Sequence, residues 1–523
     1  MRRRLTALAL LALAAAAPAF ADSVLHRGHH DEPESLDPHK SDGYQELAIE
    51  SDLWEGVVRP DATGKLVAAL AERWEVSPDG LVWTFHLRPG LEWSDGSPLA
   101  AEDFVWSIRR ILEPETASPE AYLFYPVVGA RAFNEGSAAD PATVGITAPA
   151  PDTLQVTLLQ PTPFLLGIMS LVQAAPVPRH AIEKAGAAWA RPGAAISNGA
   201  FILASWTPQS EIVLKRNPHY WDAASVKLDE VHWVLAQDEE TSLRLYRNGE
   251  LDIAQVSPKD VRYLRQQRPA ELHTDTTLRT DFLAVNIDRK PFDDLRIRRA
   301  LSMAIDRDAL AYKITAHGQK PATGLVPPGM PGYEQQPPDW AALALPDRIA
   351  RAKALIAEAG FGPDKPLKIE LSYPESEDYR LALTAIGGMW SKLGLEISFA
   401  GEENRVFNAA LRDREHQIAY TDWIADYPDP TTFLDTLKSD AGEENASDYK
   451  NPAYDALLAQ AAATLDPAER LGLLEKAELM ANNDAAVIPV AYETRPMLVS
   501  PRVHGYIGNP IDENLSRDLS LDP

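Results

Sequence analysis

A chain of 523 residues without a single cysteine must be held together by apolar packing and hydrogen bonds. It can have no disulfide framework, thiolate metal site or cysteine nucleophile. One hydrophobic core stops growing near ~250–300 residues, so this length calls for at least two. Two large lobes are expected, with room for an appended third domain. Hydrophobic residues at 45% and charged residues at 24% exclude global disorder. Prolines number 42 against 29 glycines, which indicates rigid connections and not low complexity.

The first residues set the expected compartment. Met1, Arg2, Arg3 and Arg4 form a basic start. Leu5 to Ala17 is an apolar run too short to span a bilayer comfortably. Ala19-Phe20-Ala21 is a small-x-small cleavage site, so residues 1–21 are expected to be a cleavable signal peptide and the chain to work in the periplasm. With no cysteine, a Cys-linked lipid anchor is not expected. No later stretch reaches ~18 apolar residues, so no stable membrane insertion is expected. Acidic residues outnumber basic ones 76 to 50, a formal charge of -26. Nucleic acid and anionic membrane surfaces need a basic face and are not expected as partners.

Strands and helices alternate along the chain, without heptads or a repeat of 20–50 residues. Val24 to Arg27, Leu81 to Arg88, Leu154 to Leu159 and Glu211 to Arg216 read as strands. Ala100 to Leu112 reads as a helix with Glu102 and Asp103 in its first turn. Asp347 to Ala359 reads as a helix capped by Asp347 and ended by Gly360. A strand Leu367 to Ser372, a helix Leu381 to Leu393 and a strand Leu395 to Phe399 follow. Two more helices, Asn451 to Leu465 and Pro467 to Met480, precede an apolar strand Val487 to Tyr492. This alternation indicates α/β layers. The Pro-rich stretch from Pro327 to Trp340 reads as a connecting loop.

The sequence contains no G-x-S-x-G elbow, H-E-x-x-H motif, phosphate-binding P-loop or dinucleotide glycine fingerprint, which counts against a hydrolase. His26, His29 and His30 are the one metal-like cluster. They lack a fourth ligand at a suggestive spacing, and a polar first strand explains them better. No metal and no cofactor are expected.

Several segments in order carry a family resemblance. Glu32-Pro33-Glu34-Ser35-Leu36-Asp37-Pro38 opens the series, and Leu53-Trp54-Glu55-Gly56-Val57 follows. Ala71-Glu72-Arg73-Trp74-Glu75 leads through Thr84-Phe85-His86-Leu87-Arg88 to Trp93-Ser94-Asp95-Gly96. Ser197-Asn198-Gly199-Ala200-Phe201 precedes Arg216-Asn217-Pro218-His219-Tyr220-Trp221. Arg296-Ile297-Arg298-Arg299-Ala300 precedes Ala304-Ile305-Asp306-Arg307. Together they resemble the extracytoplasmic solute-binding proteins of peptide-importing ABC transporters, over essentially the whole mature chain. Read physically, these segments are mostly structural. Trp83, Phe85 and Leu87 share one strand face, Trp93 to Gly96 is a turn, and Arg296, Arg298 and Arg299 are expected at the surface.

The resemblance implies an α/β fold of the two-lobed periplasmic binding protein type II kind, in its three-domain (cluster C) version. Residues 22–44, 187–281 and 492–523 would form lobe 1, residues 45–186 the extra domain, and residues 282–491 lobe 2. It implies capture of short peptides between the lobes, delivery to inner-membrane permease subunits, a monomer, and no covalent chemistry. Within Trp423-Ile424-Ala425-Asp426-Tyr427-Pro428-Asp429-Pro430, it gives Asp426 the ligand's α-ammonium group, while Asp429 reads as a turn residue. Trp423 and Tyr427 would flank the anchor. Tyr122 or Tyr125 would close over the ligand, with spacing leaving the choice open. Glu32 and Ser35 would line the cleft. Where relatives place basic residues for the ligand's C-terminal carboxylate, this chain has Tyr379, Leu411 and Tyr420, and Asn404 replaces a pocket tryptophan. Arg405, Arg412 and Arg414 lie near but out of register, so a displaced arginine such as Arg412 is one candidate receptor. A metal chelate, haem, sugar or opine-like ligand, or a periplasmic hydrolase, are the other readings left open at this point.

Overall fold

In the computed structural model, residues 23–41, 43–511 and 514–522 are described. The expected signal peptide, with its arginines and cleavage site, lies outside them. Among the described residues, no helix is long and apolar enough to cross a membrane.

The fold is built around an eleven-stranded mixed sheet. Its strands in chain order are β1 (Val24–His29), β2 (Phe201–Thr207), β3 (Glu211–Arg216), β4 (Glu230–Leu235), β5 (Ile253–Gln255), β6 (Leu272–Val285), β7 (Lys320–Pro321), β8 (Lys368–Pro374), β9 (Glu396–Glu402), β10 (Ile418–Ile424) and β11 (Ile488–Val499). They lie in the order β9-β8-β10-β6-β11-β5-β1-β4-β3-β2, with β7 beside β11. β1 is parallel to β4 and β5, and β8 is parallel to β9 and β10. The remaining pairs are antiparallel. A separate four-stranded antiparallel sheet contains Ala71–Val76, Val82–Leu87, Thr153–Thr157 and Ile146–Ala150 in that spatial order.

Apolar patterning placed most of these elements. Trp83, Phe85 and Leu87 are all buried on one face of the small sheet, as period-2 alternation requires. The helix Ala101–Leu112 buries Phe104, Val105, Ile108 and Ile111, and Asp103 accepts a hydrogen bond from the Ala100 amide at 2.8 Å. Gly96 takes φ +81°, and Asp95 accepts from the Ser97 amide at 2.9 Å, which closes the expected turn. Gly360, at φ +87°, ends the helix Leu345–Glu358. That helix starts earlier than expected, with Pro346 in its first turn, so Asp347 sits inside the first turn and does not cap it. Arg298 is also corrected: it is buried and donates to the carbonyls of Phe292, Asp484 and Ala485.

The opening motif works as a clamp. Asp37 receives both terminal nitrogens of Arg110 at 2.9 and 2.6 Å, and the Trp189 indole at 3.1 Å. Burial would raise this carboxyl, but the Arg110 hydrogen bonds hold it below the ordinary range. The chain's end docks in the same way. Arg517 pairs with buried Glu55, which also accepts from Tyr220 and Trp221, and Ser516 donates to Asp52.

The sheet crosses between two separate cores. Leu283, Val285, Ile369, Ile386, Trp390 and Ile418 belong to one. Leu25, Phe85, Phe104, Phe201 and Val231 belong to the other. β11 reaches both, through Ile488 and Val499, whereas β6 contributes Leu283 and Val285 to the first; the register of the pair shifts between Thr276/Thr494 and Thr280/Tyr492 and again between Asp281 and Phe282. Residues 277–279 therefore face Glu493 alone, a bulge that bends the pair.

Glu478 gives a test of this packing. Its carboxyl is fully buried and accepts from the Val326 amide, the Tyr333 hydroxyl and the Gln336 amide at 2.9, 2.7 and 3.1 Å. Burial pushes it up to about 7 from 4.5. A folded pKa above the unfolded one contributes stability that is full below the unfolded value and is lost as pH rises through the folded value. Asp435, pushed up to about 6 by burial, acts in the same direction. The melting midpoint should fall between pH 5 and pH 8. Glu478→Gln should remove up to about 3 kcal/mol of that dependence. Equal pH slopes for Glu478→Gln and the unchanged chain in calorimetry would contradict this assignment.

Candidate functional site

β10 ends at Ile424, and the loop behind it carries Asp426. This carboxylate is open to solvent on one side. Its Oδ1 accepts from the Tyr122 hydroxyl at 3.3 Å and its Oδ2 from the Thr432 hydroxyl at 3.2 Å. The Asp426 amide donates back to Thr432 Oγ1 at 3.0 Å. Crowding by the surrounding loop raises the carboxyl, and the two hydroxyls partly offset the rise. Among the described residues, no cation contributes to its balance. Tyr122 comes from the turn Ala121–Phe124, far away in sequence. Tyr125 instead donates to Asn134 at 2.8 Å, so of the two tyrosines it is Tyr122 that lies against Asp426.

Tyr427 stacks on Phe164 with ring centres 4.8 Å apart and planes within 6°. Its Cβ would lie 3.4 Å from a methyl added at Gly167. Asp429 is a structural residue. It pairs bidentately with Arg470 at 2.7 Å on both arms and accepts from the Thr431 amide at 3.0 Å. Trp423, at the end of β10, packs against the cluster containing Phe282 and Phe433, and its indole N–H is buried without a partner.

Glu32 and Ser35 are engaged elsewhere. Glu32 accepts from the Trp206 indole at 2.7 Å and the Gln209 amide at 2.9 Å. Ser35 accepts from the Asp37 amide at 3.0 Å. Neither is brought against Asp426.

A cavity of about 530 Å³ is walled in part by Tyr420, Thr421 and Asp422 of β10. Tyr379, Tyr420 and Asn404 line it, with Arg279, Asp281 and Asp422. The two tyrosine rings lie 5.0 Å apart. Leu411 is not in its wall and packs on the Phe433 cluster. Arg412 is not there either; it forms a surface pair with Glu443 at 3.8 Å. The arginine the cavity does hold, Arg279, was missed in the sequence. Its signal was Arg279 and Asp281 two residues apart, on one face of a strand that charged residues disguised. Thr432 was missed because a threonine six residues from an aspartate carries no spacing rule.

His29 is buried with Nδ1 2.9 Å from the Asp31 carbonyl, and the His26 ring packs on His232. Among the described residues, no group of three or more His, Asp or Glu side chains is placed to hold a metal.

The chain is similar in sequence and fold to known proteins. The chain is 37% identical over 522 residues to the periplasmic oligopeptide-binding protein OppA of Escherichia coli strain K12, covering 98% of this chain and 95% of the relative. It superposes on the unliganded open form of the periplasmic murein tripeptide-binding protein MppA with a TM-score of 0.90, at 33% identity, over 96% of this chain and 97% of that one. On Haemophilus influenzae OppA in complex with the peptide RPPGFSPFR the TM-score is 0.73, at 30% identity, over 96% and 99%. Residues 65–445 match the family model for the bacterial extracellular solute-binding proteins, family 5. The folded architecture and these matches agree, and the chain belongs to family 5 of the bacterial extracellular solute-binding proteins.

Proposed function

We propose that this chain captures short peptides in the periplasm and hands them to an inner-membrane ABC-type importer, as a monomer and without covalent chemistry. The observation that carries the reading is Asp426, a carboxylate raised by its surroundings and paired with hydroxyls but no cation. An α-ammonium group would supply the missing charge, and charge-assisted hydrogen bonds are the strong ones. A peptide backbone could add to the sheet here as a further strand, which is indifferent to side chains. Of the proposed site residues, Asp426 anchors the ligand, Trp423 and Tyr427 flank it, and Tyr122 closes from the opposite side. Asn404 and Tyr420 face its later residues. Glu32 and Ser35 would reach the ligand only after the lobes close.

The lobes proposed are residues 22–44, 187–281 and 492–523 against residues 282–491, with residues 45–186 as the extra domain. The bulge at residues 277–279 opposite Glu493 lies at that boundary. The higher likeness to an open, unliganded relative than to a peptide complex, over the same share of the chain, supports an open state here. Closure would then bury the anchor around its ligand.

Asp426→Asn should weaken peptide binding by about 2–5 kcal/mol, the scale for removing one partner of a buried charge pair. Unchanged calorimetric affinity with folding intact would remove Asp426 from the site. Carboxylates crowd the wall around Tyr379 and Tyr420, so the ligand's C-terminus should stay solvated. Amidating it should change affinity by less than about 1 kcal/mol. A loss of several kcal/mol on amidation would reveal a cationic receptor in the cleft.

A further inference from the structure

The cavity lined by Tyr420, Thr421 and Asp422 of β10 has a charge imbalance that peptide capture by backbone contacts does not explain. Four carboxylates reach its wall: Asp281, Asp378, Asp422 and Glu493. Arg279 is the one guanidinium there, and His317 the one imidazole. Arg279 is already committed. Its Nη2 donates to the Tyr379 hydroxyl at 3.1 Å, and its Nε lies 3.2 Å from Asp422 and 3.6 Å from Asp281. Asp281 is 1% exposed and takes the Tyr420 hydroxyl on Oδ2 at 3.0 Å. Its Oδ1 is buried and receives no hydrogen bond. That orphaned oxygen separates this site from a mere surface cluster of acids, because a buried acceptor without a donor is costly. Desolvation and the adjacent Glu493 raise the Asp281 carboxyl, so in the absence of a further cation it favours its protonated form.

We infer that this cavity is a side-chain subsite selective for a cationic residue, lysine or arginine, of the bound peptide. The inference rests on the peptide-binding reading and deepens it. A carboxylate side chain would add a further negative charge to the wall. An ammonium or guanidinium group would meet Asp422 and Glu493 and supply the donor that Asp281 lacks. The position along the ligand follows from the strand. Asp422 precedes Asp426 by four residues, at most about 13 Å at about 3.3 Å per residue, since β10 ends at Ile424 and Asp426 lies in the loop behind it. A peptide anchored by its ammonium at Asp426 therefore presents its third or fourth residue to the cavity. The site's two parts then divide the work: Asp426 reads the peptide's start, and the cavity reads one charge beyond it.

The test is calorimetric titration of ligand-stripped protein with tetra-alanine and with variants carrying Lys, Gln or Glu at position 2, 3 or 4. Lysine at position 3 or 4 should bind at least about tenfold more tightly than glutamine, about 1.4 kcal/mol. Glutamate should bind more weakly than glutamine. The lysine-to-glutamine ratio should fall below about threefold in Asp422→Asn, whose carboxylate is partly exposed, and should also fall in Asp378→Asn. If tetra-alanine binds and lysine gains nothing at any position, the subsite is overturned while peptide capture stands. A lysine preference that survives both substitutions overturns it as well. If no peptide of the series binds, the peptide reading and the subsite fall together.

Discussion

The antiparallel pair β6 and β11 is the constraint on which the rest of the structure depends. β6 contributes Leu283 and Val285 to one main core, and β11 reaches the other through Val499, so the pair joins the two halves of the sheet. Its register is irregular at residues 277–279 opposite Glu493 and again between Asp281 and Phe282, and such irregularities bend a strand pair. Arg279 lies in the bulge itself, with Asp281 and Glu493 close by, so the charged wall of the cavity is built from the residues that form the bend. A change at the bend is therefore a change in the cavity wall. The buried pair of Arg517 with Glu55 ties the C-terminal segment to the segment following the first helix. Without disulfides, such buried polar contacts and the apolar cores carry the whole fold.

Much of the fold was legible in the sequence because apolar periodicity reports burial directly. Trp83, Phe85 and Leu87 alternated in sequence and are buried on one face. Gly360 ended a helix because its φ of +87° is a conformation that residues with a Cβ avoid. The longest strand, β6, was missed for a physical reason. Asp275, Arg279 and Asp281 interrupt its apolar pattern: Asp275 lies against His273, while Arg279 and Asp281 pair in the cavity wall. Arg298 misled in the opposite direction. An arginine in a basic run reads as solvated, yet this one is buried on backbone carbonyls, a partner that leaves no trace in side-chain patterning.

The candidate site was legible in proportion to how local it was. The segment around Asp426 carried its own resemblance, whereas the groups that touch it come from afar. Tyr122 is 304 residues distant, and only folding selects it over Tyr125. Tyr379, Tyr420 and Asn404, which stand where relatives are expected to carry basic residues and a tryptophan, line one cavity. Leu411 and Arg412 did not follow, because their helix turns them toward the Phe433 cluster and toward Glu443. Sequence register could show that basic residues were missing from expected places. It could not show that carboxylates from β6, β10 and β11 had gathered there instead.

We propose that ligand bound at Asp426 draws the two lobes together about the β6/β11 bulge. Small-angle scattering of the full mature chain, stripped of ligand and then saturated with a peptide of proven affinity, measures this directly. The account predicts a smaller radius of gyration in the saturated sample. Superimposable profiles at saturation would contradict hinge closure.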